Sequence, residues 1–258
     1  MDDNADDAPI VPIPAATLVV FRHRSGQPPE LLVVERSAKM AFAGGALVFP
    51  GGRIDPDDYA LGETHRLETD EAAARIAAIR ETLEESGIAI GFRDMPSAQW
   101  LAEARARLHA REVFSAILDG AELDLDALVP FARWCPPFRE ARVFDTRFYI
   151  ARAPDDAPEP QVDATENVSS YWSSARDVLE AADGGKCRVI FPTRRNLERL
   201  ALFAHYDDAE AHARAIPVEL IAPQIETRDG RRFLTIPGHL GYPVIEEAMD
   251  AVERGFAR

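Results

Sequence analysis

The sequence predicts a domain of mixed α and β structure, and three observations carry that prediction. Ala16 to Arg22 and Glu30 to Glu35 are β-rich runs flanking Ser25-Gly26-Gln27-Pro28-Pro29, a hairpin signal with a loop longer than the tightest turns. Ile76, Ile79 and Leu83 recur at helical period ahead of Gly87, a predicted C-cap. Val218 to Glu226 and Arg231 to Ile236 form a second predicted hairpin about Asp229-Gly230.

Taken in order, Met1 to about residue 12 is an acidic stretch that reads as a disordered tail, leaving one domain over 13–258. After the first hairpin, Arg36 to Gly52 is a glycine-punctuated loop feeding a short strand and the turn Phe49-Pro50-Gly51-Gly52, where a ligand can approach the backbone closely. Residues 55–69 are polar and read as a partly ordered surface insertion that enters the main helix with Thr69 or Asp70 as N-cap. Residues 96–133 read as a helical insertion: Ser97 to Glu112, Val113 to Leu118 and Leu125 to Phe131 all have helical character. That insertion either caps a substrate or simply packs and dimerises, so a homodimer stays open.

Arg133 to Pro137 reads as a rigid turn before a strand from Arg142 to Ala151. Ala153 to Gln161 is a loop, Glu166 to Trp172 a strand and Ser174 to Ala182 a helix. Pro192 to Tyr206 is predicted as one amphipathic helix with Leu197, Leu200, Ala201 and Ala204 on its core face and Arg194, Arg195 and Arg199 elsewhere. Glu246 to Phe256 is predicted as a closing helix.

Composition excludes several function classes. A net charge of −15 argues against a general nucleic-acid binder, which needs a basic surface. No apolar run reaches the roughly 18 residues of a membrane span, and the acidic N-terminus does not read as a secretory signal. Two isolated cysteines, Cys135 and Cys187, make neither a disulfide framework nor a zinc site and favour a reducing cytoplasm. The six histidines are scattered without metal-ligand spacing.

The chemistry concentrates at Arg80-Glu81-Thr82-Leu83-Glu84-Glu85-Ser86-Gly87-Ile88. Glu81, Glu84 and Glu85 share the helix side opposite Ile76, Ile79 and Leu83. Like charges three and four residues apart destabilise a helix, and the macrodipole disfavours anions in its last turns. A bound hard cation, Mg²⁺ or Mn²⁺, would offset both penalties; a solvated acidic face is the alternative reading.

This segment resembles the Nudix box, in which a glycine precedes Arg-Glu-apolar-x-Glu-Glu-x-Gly-apolar. Arg80, Glu81, Glu84, Glu85, Gly87 and Ile88 match, as does Gly52 at the opening. Thr82 replaces an apolar residue, and Arg80 follows Gly52 by 28 positions where the pattern has 14, so the early glutamate has no assigned counterpart among Asp58, Glu63 and Glu71. Leu31-Leu32, Arg36-Ser37 and Phe49 to Gly52 resemble the upstream motif of coenzyme A diphosphatases in that superfamily, with Val33 in place of the usual threonine. Phe144-Asp145-Thr146-Arg147-Phe148 matches the same branch.

The resemblance implies an α/β/α sandwich with a mixed, curled sheet, and metal-dependent hydrolysis of a diphosphate linkage. It implies Glu84 and Glu85 as ligands of Mg²⁺ or Mn²⁺, Glu81 as a further ligand or the base, the Gly51 carbonyl in the shell, and Glu166 as a fourth carboxylate. Arg80 is expected to orient the acidic face. The substrate is expected to be CoA or acyl-CoA, contacted by Gly52 and by Arg36 and Arg147, with the Arg194-Arg195 pair also available for a 3′-phosphate; for Arg147 a surface salt bridge is the alternative. ADP-ribose, NADH or a dinucleotide is the competing substrate class. A non-catalytic Nudix-fold binding module and a cysteine-dependent isopentenyl diphosphate isomerase are readings from other classes.

Overall fold

The central strand, β1 (Ile13–Arg22), is apolar on both faces because it is covered on both. In the computed structural model, which describes residues 11–40, 43–136, 143–162 and 167–256 apart from the side chains of 253–256, Ala16, Leu18 and Val20 face one core while Val19 and Phe21 face another. Two helical layers therefore sandwich the sheet, as expected.

β1 turns into β2 (Glu30–Arg36), pairing antiparallel only at Phe21 with Leu31 and Arg22 with Glu30. Further along, β1 pairs instead with β4 (Gly51–Arg53), which follows β3 (Ala46–Val48). The sheet thus splays between β1 and β2, and the glycine turn sits in the opening. On its other edge β1 runs parallel to β6 (Phe144–Arg152), which pairs antiparallel with β5 (Val129–Trp134). β7 (Asn167–Ser174) pairs with β2, β8 (Arg188–Val189) with β3, and β9 (Leu220–Ile221) with β5. A separate three-stranded sheet comprises β10 (Gln224–Arg228), β11 (Arg231–Thr235) and β12 (Glu246–Ala248), its first hairpin closed by Asp229-Gly230 as expected.

The first layer contains α1 (Pro56–Gly62), α2 (Thr69–Ser86), α3 (Ala98–His109) and α4 (Phe114–Leu118). The second contains α5 (Ala175–Asp183), α6 (Phe191–Leu200), α7 (Tyr206–Ala215) and α8 (Met249–Phe256). The helical insertion packs: Ala104, Leu108, Phe114 and Ile117 are buried in the α2 core.

Several expectations are corrected. The polar stretch 55–69 carries helix α1, whose Asp58 is fully buried. The N-cap of α2 is Glu68, which accepts from the Asp70 and Glu71 amides. Leu125 to Phe131 is a 3₁₀ turn over Leu125–Ala127 leading into β5, since Pro130 lacks the N–H a helix interior needs and sits at an irregularity of the ladder. Arg133 and Trp134 are accordingly strand residues rather than a turn. The helix expected over Pro192 to Tyr206 ends at Leu200, and α7 is a separate helix. Arg195 and Arg199 are buried, the latter donating to the Phe131 carbonyl at 2.9 Å and stacking on the Phe131 ring. Glu246 begins a strand, with the helix starting at Met249. The disordered tail lies outside the described residues except for Val11 and Pro12.

Candidate active site

Helix α2 is buried on nearly every side, so its carboxylates are not a solvated face. The side chains of Glu81, Glu84 and Glu85 are 17%, 16% and 4% exposed. They emerge where the glycine turn leaves room: a Cβ on Gly52 would lie 2.4 Å from the Glu81 carboxylate. Gly51 has a different reason to be glycine, since its Cβ would lie 2.4 Å from the Ala16 carbonyl oxygen. The Gly51 N–H donates to Glu85 at 3.1 Å. The amide of Gly51 thus holds a carboxylate.

Arg80 ties the site together. Its guanidinium forks onto Asp58 at 3.1 and 2.9 Å, donates to the Arg53 carbonyl at 2.9 Å and reaches Glu81 at 2.7 Å. Asp58 also accepts the Asp55 N–H at 2.8 Å, so α1, β4 and α2 meet on one ion pair. Burial pushes the Asp58 carboxyl up, opposed by Arg80, while the acids around Arg80 push its pKa up against the effect of burial. Sequence reasoning missed Asp58 as Arg80's partner. The available signal was Asp55-Pro56, a helix start that returns an acid three residues later.

The end of α2 is held from the insertion. Arg105 donates to the carbonyls of Glu84 and Glu85, and Gly87 closes the helix in a left-handed conformation with φ 72°. This cation at the helix C-terminus offsets the macrodipole penalty that the carboxylates incur.

The site remains rich in negative charge. Burial raises Glu81 to about 7, with Arg80 opposing and Glu84 adding to the rise. Burial, then repulsion by Glu81, raises Glu85 to about 8. Arg36 comes within 3.9 Å of Glu85. Among the described residues no three acidic, histidine or cysteine side chains form a ready-made ion cage, because Glu81 turns to Arg80 and Glu85 to Gly51. The donor set itself, three carboxylates that share Arg80 and Arg36 as close cations, fits a hard divalent cation. Glu166 lies outside the described residues; its neighbour Asn167 is buried beside Glu85.

The carboxylates open onto a cleft of about 810 Å³. Arg36 and Gly52 line it with Glu81, Glu84 and Glu85, as do Arg53, Arg111 and Arg188, which sequence reasoning passed over. Arg53 directly follows the glycine pair, a placement that was legible. Arg147 is elsewhere: alternate residues Phe144, Thr146 and Phe148 of β6 line the cleft, so Arg147 faces the other side and pairs with Glu71 at 3.1 Å. Arg194 and Arg195 are engaged by Asp183, Glu198 and Glu247. Cys135 and Cys187 do not line the cleft, and burial raises both thiols, which is poor preparation for a nucleophile.

No family model matches the chain. It is 27% identical to a putative nudix hydrolase 7 of Caenorhabditis elegans, over 82% of this chain and 69% of that protein. It is 27% identical to the acyl-coenzyme A diphosphatase NUDT19 of Gallus gallus, over 69% of this chain and 63% of that one. The corresponding Homo sapiens protein is 25% identical over 69% and 62%. The chain therefore spans somewhat under two thirds of the length of these two diphosphatases. A crystal structure of a NUDIX hydrolase from Alicyclobacillus acidocaldarius superimposes with a TM-score of 0.66 at 29% identity, covering 79% of this chain and 97% of that one.

Proposed function

We propose that the chain, similar to Nudix hydrolases at 27% and 29% identity over most of its length, is a hydrolase of that superfamily that cleaves the diphosphate linkage of CoA or acyl-CoA, releasing phosphopantetheine or its acyl form and 3′,5′-ADP. The observation that carries the reading is the convergence of Glu81, Glu84 and Glu85 on the Gly51-Gly52 turn at one end of the cleft. The likeness to acyl-coenzyme A diphosphatases supports the substrate class.

Hydrolases of this superfamily generally use divalent metal ions. Glu84 and Glu85 would hold Mg²⁺ or Mn²⁺, with Glu81 as a further ligand or as the base; Glu166 stays in the same proposal. A bound ion would supply neutralisation of the phosphoryl oxygens and a lowered pKa for a water. The chain's own residues prepare that chemistry. The Gly51 amide fixes the Glu85 carboxylate and Arg80 fixes Glu81. Burial holds the Glu81 carboxyl above the usual carboxylate range, which favours its taking up a proton. Arg36, with Arg53 and Arg188 on the cleft wall, supplies cations for the substrate's phosphates in an otherwise acidic protein. Arg147 and the Arg194-Arg195 pair are withdrawn from that role because acids already engage them.

Among the described residues no helix is long and apolar enough to cross a membrane, and both cysteines are free. A cytoplasmic setting belongs to the same proposal.

The test is kcat/KM for CoA beside 3′-dephospho-CoA, with Mg²⁺ and with Mn²⁺. An arginine hydrogen bond to the charged 3′-phosphate is worth roughly 1.5–3 kcal/mol, so CoA should lead by about ten- to a hundredfold. Equal rates, or faster turnover of ADP-ribose, NADH or a dinucleotide, would defeat the CoA assignment while leaving the hydrolase. No cleavage of any of these would favour the binding module.

A further inference from the structure

The cleft has two chemically distinct ends. Its charged lining, Arg36, Arg53, Arg80 and the three glutamates among it, clusters around the glycine turn of β4. From there the floor crosses β1 at Ala15 and Thr17, then β6 at Thr146 and Phe148, and reaches Trp134 of β5, which pairs with Thr146. Two strand spacings separate β1 from β5, roughly 10 Å. Over Trp134 the wall is built from the C-terminal unit: Leu234 of β11, then Met249 and Val252 of α8.

This far end is apolar. Trp134, Phe148, Leu234 and Val252 are between 1% and 8% exposed although they face the cavity. Among the described residues, the polar side chains placed there with Trp134 and Phe148 are the hydroxyls of Thr146 and Thr193. The Trp134 indole N–H is given to Tyr242 at 3.1 Å, and the Tyr242 hydroxyl donates in turn to Asn196. A nucleobase needs directional donors and acceptors to be recognised, and the described residues offer little of that. An aliphatic chain needs only apolar volume, and an apolar cavity that water fills poorly receives one favourably.

We propose that Leu234, Met249 and Val252 form an acyl subsite that sets which chain length is accepted on the thiol of a CoA substrate. This rests on the diphosphatase reading above, because it takes a substrate anchored by its diphosphate at the carboxylates with its pantetheine arm laid toward β5. The C-terminal hairpin and helix thereby act as a selectivity element rather than as packing alone.

The experiment measures kcat/KM for CoA and for acetyl-, octanoyl- and palmitoyl-CoA with the wild type, Met249→Trp and Val252→Phe, each checked for an unchanged melting profile. Met249 is half-buried, so the larger ring fills cavity before it disturbs core. In the wild type the ratio of acyl-CoA to CoA should climb by up to about fourfold per buried methylene until the subsite is full. In the variants that ratio should fall at least about tenfold for octanoyl-CoA while CoA itself stays within about twofold. An unchanged ratio in both folded variants would overturn the proposal. If no CoA substrate is cleaved at all, the diphosphatase reading falls, and binding of cis-parinaric acid decides the subsite separately. Fluorescence enhancement with the wild type that Met249→Trp abolishes supports an acyl site; equal or absent enhancement in both overturns it.

Discussion

Replacing Gly52 by alanine separates the chemistry of this site from its stability. The new Cβ would stand 2.4 Å from Cδ and Oε1 of Glu81 and 2.7 Å from Oε2. These atoms are the far end of a flexible side chain, so the carboxylate swings away and the backbone stays. What is lost is the 2.7 Å charge-assisted bond to Arg80, roughly 1.5–3 kcal/mol, partly offset because Glu81 regains water. Arg80 keeps Asp58. The melting temperature should therefore fall by no more than about 10 °C, whereas a displacement of about 1 Å at a reacting group costs roughly a hundredfold in rate. Gly51→Ala is the contrast: besides the Thr17 hydroxyl, its Cβ meets two backbone atoms, the Ala16 carbonyl oxygen at 2.4 Å and Thr17 Cα at 2.7 Å, so the β1–β4 pairing itself must open. Thermal melts and Mg²⁺-dependent CoA cleavage measured on both variants test this. A Gly52→Ala enzyme with wild-type kcat/KM, or one that unfolds more readily than Gly51→Ala, would refute the reasoning.

Three further outcomes follow from the same geometry. Asp58→Ala leaves the buried Arg80 guanidinium with Glu81 and the Arg53 carbonyl and should cost about 1.5–3 kcal/mol in urea unfolding; a loss below about 0.5 kcal/mol would mean that the fork contributes little. Glu81 at about 7 and Glu85 at about 8 titrate above the ordinary carboxyl value of 4.5, so between pH 4.5 and 8 the folded chain binds more protons than the unfolded one. Without a divalent cation, stability is then greatest at the acid end of that window and falls as pH rises through it. Mg²⁺ should restore it, and Glu85→Gln should flatten the profile in calorimetric melts at several pH values; stability rising with pH would contradict this. Arg36→Ala should lose about ten- to a hundredfold in kcat/KM, while Arg147→Ala, on the opposite face of β6, should stay within about twofold. A reversed order would return Arg147 to the substrate.

Much of this was legible because local rules suffice. The β1–β2 hairpin, the left-handed Gly87 cap and the Asp229-Gly230 turn each follow from a few adjacent residues. The box residues share a helix side by periodicity alone, and Gly52 and Arg36 were placed at the site by motif. What failed to show depends on partners far along the chain. Asp58 looks like one acid in a polar loop until Arg80 is folded over it, and Arg105 like one more surface charge on an Ala-rich helix until it reaches the last carbonyls of α2. Arg195 and Arg199 read as a polar helix face because burial by a separate C-terminal unit leaves no local trace. Arg147 stayed open between pocket and salt bridge for a simpler reason: a motif names the residue, but strand parity decides its face, and that gives the pair with Glu71.

The most direct test of the central claim is product analysis of CoA incubated with Mg²⁺ and either the wild type or folded Glu84→Gln and Glu85→Gln variants. The account predicts phosphopantetheine and 3′,5′-ADP from the wild type, no metal-dependent turnover from either variant, and melting temperatures close to that of the parent. Undiminished cleavage by the variants would contradict it.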